Sequence, residues 1–325
     1  MAATIRIGIS GWLYRPWRGK FYPAGLPQRR ELEYASRVFP VIEINGSFYS
    51  LQRPESYARW YAETPPHFVF SVKAPRYITH IRRLHEVEEP VANFFASGLF
   101  NLAEKLGPIL WQFPPSFKYD RERMESFLEL LPHDTQAASV RARKHSAWME
   151  GRTCLSIDSN RELRHAIEIR HDSFLDPSFI ELLRDHNVAL VIAETARRWP
   201  MTHDITADFV YMRLHGDKEL YRSGYSDKAL EHWARRIRAW SAGSEPKDAQ
   251  KVLKKKPPTA KERDVYCFFD NTDVKLRAPV DAQTLMRKLD LAPGSHVLVD
   301  AVSGVSGQRD FFGEKHTRLI RGSLR

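Results

Sequence analysis

Short apolar runs that end in polar or charged residues recur along this chain. In each run the first residues are apolar, and the charged or amide side chains collect at the C-terminal end. Runs of this length and composition predict buried strands. The pattern occurs at residues 41–45, 68–73, 109–112, 166–170, 189–194, 209–215 and 265–271, and residues 5–12 add an eighth predicted strand.

Amphipathic segments lie between these predicted strands. Apolar residues at helical spacing predict helices at residues 30–39, 54–63, 91–106, 121–131, 177–186, 226–240 and 279–289. Alternation of strand and helix implies parallel pairing and right-handed crossovers. Eight such units predict an α/β fold, a single parallel (β/α)8 barrel of the TIM type. An open Rossmann sheet is disfavoured because no G-x-G-x-x-G follows a strand.

Two segments exceed what a minimal barrel needs. Residues 133–164 form a long connection before the fifth strand, and residues 241–264 are rich in Lys, Pro and Ser and poor in apolar residues. The second segment is predicted to be a mobile, basic surface insertion. We assign residues 1–291 to one barrel domain that includes this insertion. Residues 292–325 form a C-terminal extension that either packs on the barrel or is partly disordered.

Side-chain alternation predicts which polar groups point into the barrel. Glu43 and Asn45 share one face of their strand, and the aliphatic Ile42 and Ile44 on the other face suit the helix layer. The polar pair therefore points inward. The same rule directs inward Glu168 with Arg170 and Arg213 with His215, places Lys73, Gln112 and Glu194 at the inner rim, and leaves open whether Asp270 or Asn271 faces the interior. Strand ends of this kind meet at one barrel face, where active sites lie.

The residue types at this face predict acid–base chemistry. Glu43 and Glu168 suit a general acid and a general base, as paired carboxylates do in sugar chemistry, and His215 suits a proton shuttle. Lys73 suits either a Schiff base with a carbonyl substrate or the binding of an anion. The carboxylates expected nearby favour the charged, anion-binding role. The predicted catalytic residues are Glu43, Lys73, Glu168 and His215.

A second set of side chains suits substrate binding. Guanidinium groups clamp carboxylate or phosphate, and aromatic rings in the strand-end loops stack on sugars or bases. The predicted substrate-binding residues are Trp12, Asn45, Tyr49, Gln112, Arg170, Arg213, Asp270 and Asn271. The alternatives are an ion-pair network that merely closes the barrel and a hydrophobic lid made by the aromatic residues.

No metal and no cofactor are expected. Catalytic zinc takes three close protein ligands, with His or Cys prominent, whereas His215 is the one histidine predicted to face inward. The cations Lys73, Arg170 and Arg213 would repel a divalent ion at the same rim. The carboxylates leave Mg²⁺ or Mn²⁺ as an alternative.

Composition bears on partners and location. The formal net charge of +10 is compatible with a nucleic-acid partner, but its Lys and Arg residues are dispersed in stretches typical of solvated helix faces. A small anionic or sugar-like ligand is therefore the first expectation and nucleic acid the second. Because the chain shows no signal-peptide core and no apolar run of membrane-spanning length, we expect a cytoplasmic protein with no membrane partner.

Several longer motifs resemble a known family. The segments are GISGWLYRPWRGKFYP, EINGSFY, FSVKAPRYITH, LWQFPPSF, AIEIRHDSF and YMRLHG. Together they resemble the domain-of-unknown-function 72 family, also called YecE-like proteins, from about residue 5 to residue 289. The resemblance implies a TIM-type barrel with polar signature residues at the C-terminal strand ends, and it implies no particular reaction. Where the family tends to have Phe-Asn-Asn, this chain has Phe269-Asp270-Asn271.

The first functional expectation is an enzyme that performs hydrolysis or isomerisation by acid–base chemistry on a small anionic or sugar-containing substrate. Two alternatives remain open. One is a barrel that processes or binds nucleic acid, and the other is a sensor that binds a metabolite without converting it.

Overall fold

The computed structural model describes residues 3–272 and 276–291. Every strand pair in its sheet is parallel. The strands are β1 Ile5–Ser10, β2 Val41–Ile44, β3 Val69–Lys73, β4 Leu106–Gln112, β5 His165–Glu168, β6 Ala189–Leu190, β7 Ile192–Glu194, β8 Phe209–Leu214 and β9 Asp264–Phe269. The extension predicted for residues 292–325 lies outside the described residues.

The sheet closes through a strand that is split in two. β6 and β7 are the halves of the predicted sixth strand and follow each other through Val191, whose N–H donates to the carbonyl of Ile167 at 2.9 Å. β6 pairs with β5 and β7 pairs with β8. The sheet order β6-β5-β4-β3-β2-β1-β9-β8-β7 therefore forms a nearly closed ring with eight strand positions. The predicted parallel barrel is confirmed.

Helices cover the outside of the barrel. They are α1 Glu31–Val38, α2 Gly46–Tyr49, α3 Pro54–Glu63, α4 Glu88–Ala96, α5 Arg121–Leu130, α6 Thr135–Ala142, α7 Pro177–Asp185, α8 Asp227–Ser241 and α9 Arg277–Lys288. Side chains of Asp120, Asp134, Asp176 and Ser226 accept backbone N–H groups at helix starts, which satisfies donors that the first turn leaves free. Within residues 3–272 and 276–291, each helix is too short or too polar to span a bilayer.

One predicted helix is interrupted. Residues 91–106 were expected to be continuous, but α4 ends at Ala96 and the chain resumes as a 3-10 helix over Leu99–Lys105. Gly98 lies between them with φ 113, and a Cβ there would meet the Cα of Pro54 at 2.5 Å. The close approach to α3 therefore requires glycine and breaks the helix.

Two separate apolar layers explain how the polar residues are placed. The barrel interior contains Val41, Val69, Leu110, Ala166, Ala189, Val191, Ala193, Ala207, Phe209, Tyr211, Tyr266 and Phe268. The opposite strand faces pack under the helices in a larger cluster. Glu43, Glu168 and Arg213 each lie two residues beyond an interior residue. Because alternate side chains share a face, these charged groups continue the interior stack towards the C-terminal barrel end.

The segment between α8 and β9 is anchored at its first half. The buried carboxylate of Asp204 accepts the N–H groups of Val252 and Leu253 at 2.7 and 3.0 Å, and Nδ1 of His203 accepts the N–H of Gln250 at 2.9 Å. Side chains of residues 254–256 are exposed. The mobility of residues 241–264 stays a prediction. Because these contacts hold the first half of the segment, we expect the mobile part to be the second half.

Candidate active site at the C-terminal end of the barrel

Arg213 on β8 is the hub of the charged groups. Its side chain is fully buried, and its guanidinium contacts three carboxylates from three other strands. Nε and Nη2 donate to the two oxygens of Glu43 at 3.0 and 2.9 Å, Nη1 donates to Glu168 at 2.6 Å, and Nη2 donates to Asp270 at 2.9 Å. Burial alone would lower the pKa of Arg213, but these carboxylates raise it well above its usual value. The group is a permanent cation.

Glu43 on β2 is fully enclosed by donors. Besides the two bonds from Arg213, it accepts the hydroxyl of Ser10 at 3.0 Å and that of Tyr211 at 2.8 Å. The Tyr211 hydroxyl is also 2.7 Å from that of Ser71. Four donated hydrogen bonds hold this buried carboxylate rigidly in place. Glu43 therefore suits electrostatic support of the site better than proton transfer.

Glu168 on β5 is the second fixed carboxylate. It accepts from Arg213, from Nε2 of Gln112 at 2.8 Å and from Nε of Arg170 at 2.9 Å. Burial alone would raise the pKa of Glu168, but Arg213, followed by Arg170, lowers it well below its usual value. Glu168 is thus ionised throughout the neutral range.

Arg170 connects this interior network to the rim of the barrel. Its guanidinium lies 3.8 Å from the centre of the Trp199 ring, and its Nη2 donates to the hydroxyl of Tyr221 at 3.2 Å. Trp199 follows β7 and Tyr221 follows β8, so two loops hold one cation. Planar stacking and directed hydrogen bonds are what Arg offers and Lys does not.

His215 is held as a neutral acceptor. Nη1 of Arg213 lies 3.0 Å from Nε2 of His215, and because a guanidinium only donates, Nε2 carries no proton. Nδ1 then carries it and lies 3.2 Å from the carbonyl of Glu194. Burial, followed by the charge of Arg213, lowers the pKa of His215 to about 3. This arrangement disfavours the proton-shuttle role predicted for it.

Of the neighbours Asp270 and Asn271, Asp270 faces the barrel interior. Its Oδ2 accepts from Arg213 at 2.9 Å and lies 3.4 Å from Nε2 of His215. Burial raises the pKa of Asp270, Glu43 adds to the rise, and Arg213 opposes it. Asn271 points the other way, where its amide donates to Asp281 of α9 at 2.8 Å. The strand thus contributes Asp270 to the site and Asn271 to the packing of a helix.

Lys73 on β3 differs from the other cations. The residue is 8% exposed, and its Nζ lies 4.3 Å from the centre of the Phe48 ring. Among the described residues its amine has neither a hydrogen bond nor an ion pair. Burial, followed by Arg213, lowers the pKa of Lys73 to about 8, while Glu43, Glu168 and Asp270 act in the opposite direction. Its nearby carboxylates are engaged by arginines and hold it only weakly in the charged form.

Several predicted residues lie away from this network. Trp12 is 8% exposed and packs edge-on against Trp60, with ring centres 5.4 Å apart, so it belongs to the core beneath the helices. Tyr49 is 72% exposed and contacts the Phe48 ring. Asn45 lies at the strand end with a buried Oδ1 that accepts no hydrogen bond from the described residues.

Glu194 was predicted to lie at the inner rim of the barrel, and the structure corrects this prediction. The interior members of its strand are Ala189, Val191 and Ala193, so by alternation Glu194 faces the helix side. Its carboxylate accepts the N–H of Ala196 at 3.1 Å. The sequence could not choose its direction, because both faces of the strand are apolar.

Sequence reasoning missed the support that Tyr211, Ser10, Trp199 and Tyr221 give to this network. Tyr211 shares the interior face with Arg213, so the alternation rule could have found it. Ser10 lies at the end of β1 in register with Glu43, which also follows from strand pairing. Trp199 and Tyr221 lie in loops without regular spacing, and the sequence carries no signal for their contacts with Arg170.

The described side chains of the site do not form a cluster of metal ligands. Among the residues that the structure describes, no three His, Cys, Asp or Glu side chains are grouped so as to hold an ion. The three central carboxylates instead accept hydrogen bonds from Arg213.

Comparisons with known proteins agree with this architecture. A family model described as "Protein of unknown function DUF72" matches residues 6–301. The UPF0759 protein YecE of Escherichia coli K12 is 23% identical over 244 residues, which cover 74% of this chain and 84% of that protein. The UPF0759 protein YunF of Bacillus subtilis is 31% identical over 134 residues, 40% of this chain, and the match spans about half of its length, 46%.

Solved structures show the same fold. A DUF72 family protein from Thermotoga maritima superposes with a TM-score of 0.66 at 24% identity, covering 88% of this chain and 99% of that chain. One from Enterococcus faecalis superposes with a TM-score of 0.62 at 17% identity, covering 89% and 99%. The chain therefore belongs to the DUF72 family, a family of unknown function with a barrel fold.

Proposed function

We propose that this DUF72 protein is an enzyme that carries out acid–base chemistry on a small anionic or sugar-containing substrate at the C-terminal end of its barrel. The observation that carries the proposal is Lys73. It is a nearly buried amine with a pKa of about 8, and it lies among carboxylates that are bound to other cations. A side chain that exchanges its proton near neutral pH, at the barrel face where such enzymes react, suits a general acid or base.

The fixed charges support this role without changing protonation. Glu168 remains an anion and Arg213 remains a cation, and Glu43 is bound to the same guanidinium inside the barrel. A rigid set of charges in a site shielded from water stabilises the charge that develops during a reaction. The proposal thus assigns proton transfer to Lys73 and electrostatic support to the carboxylates.

An anionic substrate fits the rim. Arg170 lies at the edge of the network with its side chain 11% exposed. Exposed cations also stand on the loops that follow the strands: Arg15, Arg53, Arg76 and Arg197. Charges arranged around a concave barrel end raise the local concentration of anions.

The test is capture of small molecules from a metabolite extract, read by mass spectrometry. The wild-type protein is compared with Arg170→Met, which removes the rim cation, and with Lys118→Met, which removes an exposed lysine after β4. We expect a small anionic compound to be enriched by the wild type and by Lys118→Met and lost from Arg170→Met. Enrichment that Arg170→Met leaves unchanged would contradict this location for the site.

A nucleic-acid-binding barrel is the second candidate, and exposed aromatic rings at the rim favour it. Tyr49 and Tyr77 are 72% and 50% exposed, and the segments that follow β2 and β3 also carry Arg53 and Arg76. Bases stack on such rings, while cations hold the phosphates. Salt-dependent binding of a single-stranded oligonucleotide that weakens in Tyr49→Ala would favour this candidate over the first.

We also propose that the site works without a tightly held metal. Arg213 already binds the three carboxylates that a divalent ion would need, and Lys73 and Arg170 add positive charge beside them. Elemental analysis of protein purified without chelators should find much less than one metal per chain. One full equivalent that is lost in Glu168→Gln would contradict this.

A further inference from the structure

The two most buried lysines among the described residues differ in what surrounds the amine. Lys105 is 3% exposed, and its Nζ donates to the carbonyls of Tyr61 and Thr64 and to the Thr64 hydroxyl, at 2.7, 2.8 and 3.1 Å. Lys73 is 8% exposed and has none of these bonds within the described residues. A buried ammonium normally uses its three donors. Lys105 therefore has a structural role, whereas the amine of Lys73 is available to bind or react with a ligand.

The surroundings of Lys73 hold its amine in a fixed place. The hydroxyl of Ser47 donates to the backbone carbonyl of Lys73 at 2.7 Å, which secures the end of β3. The Phe48 ring forms one wall beside Nζ, and the ring of His80 meets Phe48 edge-on with centres 5.1 Å apart. The anchored end of β3 and the Phe48 ring therefore define where the nitrogen lies.

The carboxylates do not compete for this amine. Glu43 accepts from Ser10, Tyr211 and Arg213, and Glu168 accepts from Arg213, Gln112 and Arg170. Both carboxylates thus accept hydrogen bonds from donors other than Lys73. The charged, anion-binding role was expected from carboxylates near Lys73, and no described carboxylate lies within 4.0 Å of its amine.

We infer that Lys73 is a covalent catalyst, which forms a Schiff base with the carbonyl carbon of a small anionic aldehyde or ketone. The inference rests on the proposed function and specifies its substrate class. A nearly buried amine with neither a hydrogen bond nor an ion pair among the described residues is the kind of lysine that acts as a nucleophile.

The chemistry balances without an oxidant or a reductant. The lone pair of the neutral amine forms a bond to the carbonyl carbon, and the carbonyl π pair moves to oxygen, which takes a proton. The nitrogen of this carbinolamine loses a proton, and its hydroxyl leaves as water after a second protonation. The products are a protonated imine and one water molecule. Solvent water supplies and takes up these protons.

The protonation of Lys73 agrees with this role. An ordinary lysine with a pKa of 10.5 is almost entirely an ammonium at pH 7. Lowering the pKa of Lys73 to about 8 raises its fraction of neutral amine at pH 7 by about 300-fold. The imine formed on Lys73 is itself cationic, so the charges of Glu43, Glu168 and Asp270, which favour the ammonium, also stabilise the product.

The test is reductive trapping on the full-length chain. Three probes are used separately: formaldehyde as the smallest carbonyl, pyruvate as a keto acid, and dihydroxyacetone phosphate as a phosphorylated ketone. Sodium cyanoborohydride reduces any imine to a stable amine, and peptide mapping locates the adduct. Each adduct adds the mass of the probe less one oxygen atom. Exposed Lys118 and buried Lys105 serve as internal controls in the same sample.

We expect at least one anionic probe to label Lys73 at pH 7 about 10-fold or more above Lys118, in line with its larger fraction of neutral amine. Lys105 should remain unlabelled, and Lys73→Arg should lose the adduct. Labelling of Lys73 no faster than Lys118 with all three probes overturns the inference. If Lys73 is not labelled but Lys73→Met still loses conversion of a captured metabolite, Lys73 acts as an acid or base only, and the proposed function stands. If Lys73 is not labelled and Lys73→Met still converts the metabolite, both the Schiff-base inference and the proposed function are wrong.

Discussion

Arg213 donates to both oxygens of Glu43, at 2.9 and 3.0 Å, and both side chains are fully buried inside the barrel. The pair joins β8 to β2 across the interior. Because Arg213 also binds Glu168 and Asp270, one guanidinium ties four strands together at the barrel end. This pairing explains why charged groups can lie in the interior, and it leaves Lys73 without a carboxylate of its own.

Removal of Arg213 should be strongly destabilising. Arg213→Met leaves buried carboxylates without their partner, and breaking a buried pair of this kind costs about 3–5 kcal/mol. Urea unfolding measures the change. Arg170→Met is the matched control, because Arg170 lies at the rim and its loss should cost clearly less. Equal costs for the two variants would show that Arg213 is not the hub.

Replacement of Lys73 should stabilise the protein. The pKa of Lys73 is lowered from 10.5 to about 8, so the unfolded chain binds more protons than the folded chain between these values. The buried ammonium therefore destabilises the folded protein fully below about pH 8, and this destabilisation disappears as the pH rises from about 8 to 10.5. Lys73→Met should gain on the order of 3 kcal/mol over wild type at pH 7, and the gain should shrink by pH 10.5.

Lys105→Met gives the opposite outcome in the same measurement. Its removal leaves the carbonyl acceptors of Tyr61 and Thr64 without their donor, so the variant should be less stable than wild type at pH 7. Denaturant unfolding at several pH values tests both variants. A Lys73→Met protein that is destabilised like Lys105→Met would mean that Lys73 is a structural cation.

Asp270→Asn should lower the pKa of Lys73 further. The charge of Asp270 favours the ammonium form of Lys73, and asparagine, the residue that the family resemblance implies at this position, removes that charge at nearly constant shape. Reductive ¹³C-methylation followed by NMR titration reads the lysine directly. A titration midpoint that stays the same or rises would show that Asp270 does not act on Lys73.

The two halves of the segment between α8 and β9 should differ in their susceptibility to proteolysis. Residues 254–256 are exposed lysines, whereas Val252 and Leu253 are bound to the buried Asp204. Brief trypsin treatment should cut after residues 254–256 before any site in residues 5–194, and the barrel should remain folded. First cleavage within residues 5–194 would count against a mobile insertion on a stable domain.

Much of this architecture follows from the sequence, because burial imposes alternation on every strand. Glu43, Glu168 and Arg213 could be brought to one site from their positions two residues after interior apolar residues. Alternation fails where both faces are apolar, as at Glu194, and it does not apply in loops, where Trp199 and Tyr221 reach Arg170. It also says nothing about which cation takes which carboxylate. That choice, with Arg213 bound and Lys73 unpaired, depends on three-dimensional distances.

The most direct test that Lys73 is catalytic is conversion of the captured metabolite by the purified protein, followed by mass spectrometry over time. Wild type and the exposed-lysine control Lys118→Met should convert the compound at equal rates. Lys73→Met should bind it but lose at least about 100-fold in rate, the scale on which a positioned acid or base contributes. Conversion by Lys73→Met at the wild-type rate would contradict the account. Binding by wild type with no conversion would show instead that the protein is a sensor.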